Sequence, residues 1–174
     1  MNLIKNDILS LRAVEPDDID ALFEVENNLE LWKYSNRSQP YSKDLLQNYI
    51  SNAHKGVFET RQVKFTVANL NNQPVGFIDL FDFEPLHRRA GVGIILKKEY
   101  IGKGYGRTAI KLVGSHAKEY LNIHSLFANI EADNKKSIRA FESCGYRQVG
   151  LKKAWNFYQD QFHDEYLYQK IYSL

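Results

Sequence analysis

The sequence predicts an α+β domain built on a mixed, mostly antiparallel sheet. Three observations point there: strand-like runs joined by short turns between residues 64 and 96, one strand–helix–strand crossover spanning 89–132, and two closing strands joined by a polar turn. The 174 residues are 44% apolar and 25% charged, enough for one domain with a full core, and no linker or repeat divides them.

DILSLRAV (7–14) alternates apolar and polar residues and reads as a strand. Pro16 at a first helical position, with Asp17 and Asp18 in the first turn, opens a helix to about Asn27. Ser42 caps a second helix over 42–54, whose apolar face is Leu45, Leu46, Tyr49 and Ile50. KFTVANL (64–70), the turn Asn71-Asn72-Gln73-Pro74 and VGFIDLFDF (75–83) make a hairpin, and RAGVGIIL (89–96) is a third strand. The helix 104–121 carries Ala109, Leu112, Val113, His116 and Tyr120 at helical spacing, and HSLFANIEA (124–132) returns to strand. Asn134 caps a short helix that Gly145 ends, and YRQVGLKKAWNFY and FHDEYLYQKIY close the chain.

Composition narrows the function classes. Net charge is +2 with Lys and Arg dispersed, which argues against a nucleic-acid stripe. No apolar run is long enough to span a bilayer, and the first residues carry no basic-then-apolar leader. Cys144 is the single cysteine, so a reducing, cytoplasmic setting fits best. The five histidines have no metal-ligand spacing, and no metal is expected.

The informative segment is GIILKKEYIGKGYGRTAI. A strand ends, and Gly102, Gly104 and Gly106 lead into an amphipathic helix. Glycines let a backbone approach a phosphate closely, and the first N–H groups of a helix are unpaired and favour an anion. There is no Walker string, and a G-x-G-x-x-G fingerprint fails at Arg107.

The run Ile101-Gly102-Lys103-Gly104-Tyr105-Gly106 resembles the acetyl-CoA motif of the GNAT superfamily of N-acetyltransferases. NKKSIRAFESCGY (134–146) resembles that superfamily's second signature. Within it, EPLHRRAGVGI and LNIHSLFANIEADNKKSI look most like the spermidine or diamine enzymes, with ribosomal-protein N-terminal acetyltransferases nearby. The resemblance implies a sheet flanked by helices on both faces, acetyl-CoA as co-substrate and a small-molecule amine as acceptor. It implies that Ile94, Ile95 and Leu96 pair with the pantetheine arm, that the stretch from Gly102 to Arg107 (with Lys103, Tyr105 and Gly106) cradles the pyrophosphate, and that Asn134 binds the pantetheine. Dimers are common among such proteins, so a homo-oligomer is admitted.

Two departures bear on the chemistry. Ile101 replaces the Gln or Arg at the head of the motif. Phe141 stands where many relatives have a tyrosine that protonates the departing sulfur, and phenylalanine has no proton to give. Such an acid is worth about 10²–10⁴-fold, so its loss slows such a reaction without forbidding it. An alkylamine of pKa near 10.4 needs about 4–5 kcal/mol to shed its proton at pH 7. Asp79 and Asp82 are the candidate bases, although an unbulged strand would turn them to opposite faces. Glu24, Glu26, Glu30 and Asp44 are further carboxylates for a cationic acceptor. An amine acetyltransferase, a non-enzymatic CoA-binding domain and an N-terminal peptide acetyltransferase remain as alternatives.

Overall fold

The computed structural model describes residues 4–35 and 38–173; Asn36 and Arg37, in the segment before the second sequence-predicted helix, lie outside the described residues. In chain order the elements are β1 (Ile4–Lys5), β2 (Leu9–Ala13), α1 (Ile19–Glu26), α2 (Leu29–Trp32), α3 (Lys43–Asn52), α4 (Val57–Thr60), β3 (Val63–Asn69), β4 (Pro74–Glu84), β5 (Arg89–Leu96), α5 (Tyr105–Tyr120), β6 (Ser125–Glu131), α6 (Lys135–Ser143), β7 (Arg147–Tyr158) and β8 (Gln161–Ile171). They form one eight-stranded sheet in the order β1-β2-β3-β4-β5-β6-β8-β7. Every neighbouring pair is antiparallel except β5 and β6. The α+β reading holds.

Two cores lie on opposite faces of the sheet. On one, α5 and α6 pack on Val67, Ile78, Leu80, Val92, Leu126 and Ala128; on the other, α1 and α3 pack on Phe77. Strand alternation sorts the side chains between the faces. Residues 78, 80, 92, 128 and 130 go to the α5 side, and Phe77, Asp79, Gly93, Asn129 and Glu131 go to the α1 side.

Helix α3 begins as the sequence indicates, with the Ser42 side chain accepting from the Leu45 amide at 3.1 Å. The buried face of α5 differs from the predicted one. It runs through Ala109, Ile110, Val113, Gly114 and Ala117, whereas Tyr120 is exposed. Small residues bring this helix close to the sheet: a Cβ at Gly114 would lie 2.7 Å from the Tyr172 hydroxyl. A reading weighted by side-chain hydrophobicity passes over Gly114.

The feature that positions the site is the parting of β5 from β6. Their parallel pairing covers Arg89↔Ser125, Ala90↔Leu126 and Gly91↔Phe127, and it stops there. Beyond Gly91, β5 stays paired to β4 through Gly76↔Leu96, Phe77↔Ile95 and Ile78↔Ile94. At the apex, Phe81 lies over Gly91, where a Cβ would sit 2.4 Å from its ring, and meets Phe127 edge to face at 5.6 Å. Glycine is required there because the aromatic ring occupies the space.

Candidate active site

A cleft of about 1600 Å³ opens where the two strands part. One half is lined by Ile94, Ile95, Leu96, Ile101, Gly102, Gly104, Gly106, Arg107, Asn134 and Phe141. Ile94, Ile95 and Leu96 offer the cleft a strand edge that β6 does not cover, the geometry by which an extended amide chain is added to a sheet. Gly102 and Gly104 have φ of +80° and +87°, and among the described residues nothing stands within 4 Å of a Cβ built on either. Gly104 is the N-cap of α5 and has no side chain to satisfy the first-turn amides, so they are left for an anion. Arg107, Lys135, Lys136 and Arg139 also line this half, so it is cationic. The stretch therefore fits a diphosphate joined to an amide-bearing arm.

The structure separates some of the motif residues. The side chains of Lys103 and Tyr105 are not among the cleft-lining residues. The Lys103 ammonium lies 5.8 Å from the Tyr100 ring centre, and Tyr105 packs edge-on against the same ring. Asn134 does cap α6, its side-chain oxygen accepting from the Ser137 amide at 3.2 Å, and it lines the cleft as well. Phe141 is 2% exposed and lines the cleft with its ring edge-on to Tyr146. Neither Ser143 nor Tyr146 lines it. The Ser143 hydroxyl donates to the Ala140 carbonyl at 2.7 Å, and burial pushes Tyr146 far above the usual tyrosine range.

The rest of the cleft carries more acid than base: Glu26, Glu30, Asp79, Glu131, Asp133 and Glu165 line it, with Lys33 and Lys64 among them. Of the carboxylates singled out in the N-terminal helices, Glu26 and Glu30 are here, while Glu24 pairs with Lys97 and Asp44 is elsewhere. Asp79 lines the cleft. Asp82 is exposed outside it, with φ +47° in a bulge between Phe81 and Glu84. Only one of the two faces the cleft.

Two transverse rows of charge flank the gap on the α1 face. Lys64, Asp79 and Gly93 stand in register across β3, β4 and β5. The Lys64 ammonium is 2.9 Å from Asp79 and 3.3 Å from Glu26. On the far side Glu131, Glu165 and Lys152 are in register across β6, β8 and β7. Like charges directly opposite destabilise a sheet, and two devices offset this pair. Lys152 pairs with Glu165, and the Asn156 amide donates to both carboxylates, at 2.8 Å to Glu131 and 3.0 Å to Glu165. A bulge between Lys152 and Asn156 aims that amide, with Ala154 at φ +48° and its N–H bonded to Asp164.

Sequence reasoning passed over Glu131, Asn156, Tyr158 and Glu165. The one local signal is a carboxylate on the same strand face as Phe127 and Asn129. Burial pushes the Glu131 carboxyl above its usual range, against the Asn156 amide and the Tyr158 hydroxyl. Among the described residues no cluster fit to hold a metal occurs. No helix there is long and apolar enough to cross a membrane.

Comparison with known proteins gives a consistent picture. The acetyltransferase (GNAT) domain profile matches residues 9–147. A spermidine N(1)-acetyltransferase of Vibrio cholerae is 27% identical over 145 residues, 83% of this chain and 82% of its own. A putative ribosomal N-acetyltransferase of Bacillus subtilis is 23% identical over 169 residues, 95% of this chain and 92% of its own. The crystal structure of the Vibrio cholerae spermidine N-acetyltransferase with CoA and spermine superposes with a TM-score of 0.85, at 25% identity over 95% of this chain and 96% of that one.

Proposed function

From the premise that this chain belongs to the GNAT acetyltransferase family, we propose that it transfers the acetyl group of acetyl-CoA to a primary amine of a small polycation, of the polyamine or diamine kind. The single observation that carries this reading is that one cleft joins a glycine turn, with Arg107 beside it, to a lining that, among the described residues, includes Glu26, Glu30, Asp79, Glu131, Asp133 and Glu165, in excess of the Lys33 and Lys64 that sit among them. An anionic coenzyme and a cationic acceptor are each drawn to their own half. Relatives named for spermidine acetylation support the acceptor class.

The coenzyme supplies an activated acetyl thioester. Gly102, Gly104, Gly106 and Arg107 hold its diphosphate, the free edge of Ile94, Ile95 and Leu96 aligns its amide arm, and Asn134 and Phe141 close the opposite wall. Asp79 and Glu26, held together by Lys64, face the acceptor. Direct attack of the amine in a ternary complex needs no covalent enzyme intermediate.

Thiol release from acetyl-CoA tests this with a panel of spermidine, short diamines, aminoglycosides and N-terminal peptides. Turnover confined to the amines supports the reading. Turnover confined to peptides reassigns the protein to N-terminal acetylation. Tight coenzyme binding without any turnover makes it a CoA-binding domain, a reading that Phe141 favours because the position offers no proton.

A further inference from the structure

Resting on the proposed amine acetylation, we propose that Glu131 is the proton acceptor for the attacking amine, a role its chain neighbours and strand pairing build without the help of Asp79 or Asp82. Glu131 ends β6 on the α1 face and lines the cleft beside the parted strands. It is 3% exposed, and its two oxygens differ. One accepts from Asn156, while the other, Oε2, is buried with no hydrogen-bond partner among the described residues. A buried carboxylate oxygen left bare costs free energy until a donor reaches it, and an ammonium in the cleft, directly or across one water, is such a donor.

The competing carboxylates are otherwise engaged. Asp79 and Glu26 share the Lys64 ammonium at 2.9 and 3.3 Å, Glu30 pairs with Lys98, Asp133 with Lys33, Glu165 holds Lys152 and Asn156, and Asp82 lies outside the cleft. The groups facing Glu131 come from three elements: Asp133 just beyond β6, Asn156 and Tyr158 on β7, and His163 and Glu165 on β8. The Tyr158 hydroxyl donates to Asp133 at 3.1 Å, and its ring stacks on His163 at 3.6 Å. Burial, helped by the negative charge of Asp133, pushes the Glu131 carboxyl upward against the Asn156 amide, the Tyr158 hydroxyl and His163, and the net direction is up. The result is a stronger base than an exposed glutamate.

The protons balance as follows. The ammonium gives one proton to Glu131 and becomes a neutral amine, whose nitrogen attacks the thioester carbonyl. The C–N bond forms and the C–S bond breaks. The second nitrogen proton passes to the departing sulfur, giving the free thiol with no side-chain acid. The third stays on the amide, and Glu131 then releases its proton to solvent.

The test compares wild type, E131Q, E131D and D79N with spermidine and acetyl-CoA, reading kcat/KM against pH alongside coenzyme affinity by calorimetry. The wild type should show an acid limb above the ordinary glutamate range. E131Q should lose about 10²–10⁴-fold in kcat and lose the limb, with coenzyme affinity unchanged, and E131D should keep the limb at reduced kcat. An E131Q variant that retains wild-type kcat and the limb overturns the assignment, as does a D79N variant that alone erases the limb. Should E131Q also lose coenzyme binding, E131D decides: reduced kcat with the limb retained supports Glu131, and full wild-type kcat overturns it. A wild type that binds the coenzyme but acetylates no amine overturns the proposed function, and this inference with it.

Discussion

Lys64 and Asp79 stand opposite each other in the β3–β4 register with ammonium and carboxylate 2.9 Å apart, and Glu26 reaches the same ammonium from α1. A lysine of this chain thus supplies a cation at the acidic side of the cleft. It ties the helical face to the sheet on the side of the cleft that the proposed function gives to the acceptor.

Removing that cation leaves Glu26 and Asp79 without their shared partner. The substitution K64M is expected to cost on the order of 3 kcal/mol, as for other part-buried pairs broken on one side, measured by urea denaturation. Spermidine should raise the thermal midpoint of K64M by more than it raises that of the wild type, because an added ammonium takes the vacated position. Equal shifts would mean that the pair does not attract the amine.

Asp18 gives a pH signature remote from the cleft. It is 2% exposed and accepts from both terminal nitrogens of Arg12, at 2.7 and 2.9 Å, from the Thr66 hydroxyl and from the Glu15 amide. Burial raises its pKa, but these bonds outweigh it and hold the carboxyl below its usual range. Its stabilisation is therefore complete above the unfolded value of about 3.9 and is lost as pH falls through the lower folded value. The D18N variant is expected to be less stable at neutral pH by about 3 kcal/mol, and the gap to the wild type should narrow in acid. Denaturation curves from pH 7 to pH 2 measure it.

Gly104 has room for a side chain but a backbone that disfavours one. With φ at +87°, a G104V substitution should cost about 1–2 kcal/mol of stability. Its methyl groups would stand where the diphosphate approaches the α5 amides, so coenzyme affinity should fall more than tenfold by calorimetry. Unchanged affinity would remove this turn from the binding site.

Phe141 lines the cleft with its ring held by Tyr146. The substitution F141Y places a hydroxyl on that wall and is expected to raise kcat by roughly ten- to a hundredfold. Single-turnover thiol release checks it. An unaltered rate would mean that the ring edge does not face the sulfur.

Much of this architecture was legible locally. The run RAGVGIIL marked β5 over Arg89–Leu96, and Asn134 and Gly145 bracketed α6, because those signals depend on neighbours in sequence. The glycine turn was readable for the same reason, since left-handed backbone and a helix start sit side by side at Gly102 and Gly104. The acidic half was not. Glu131 meets Glu165 only because β8 inserts beside β6 and leaves β7 at the margin, and Asn156 reaches both only through the β7 bulge. Likewise the bulge that carries Asp82 away from the cleft depends on β5 pairing, which no window around residue 82 contains.

The parting of β5 and β6 has a cost for the empty protein. Among the described residues the five from Val92 to Leu96 have no β6 partner, an open edge in the middle of the sheet where a stray chain segment can zip in. In the proposed function the coenzyme is then a plug as well as a reagent. Cells short of it would hold this protein in its stickiest form, and its solubility on heating should track coenzyme supply even with no acceptor present.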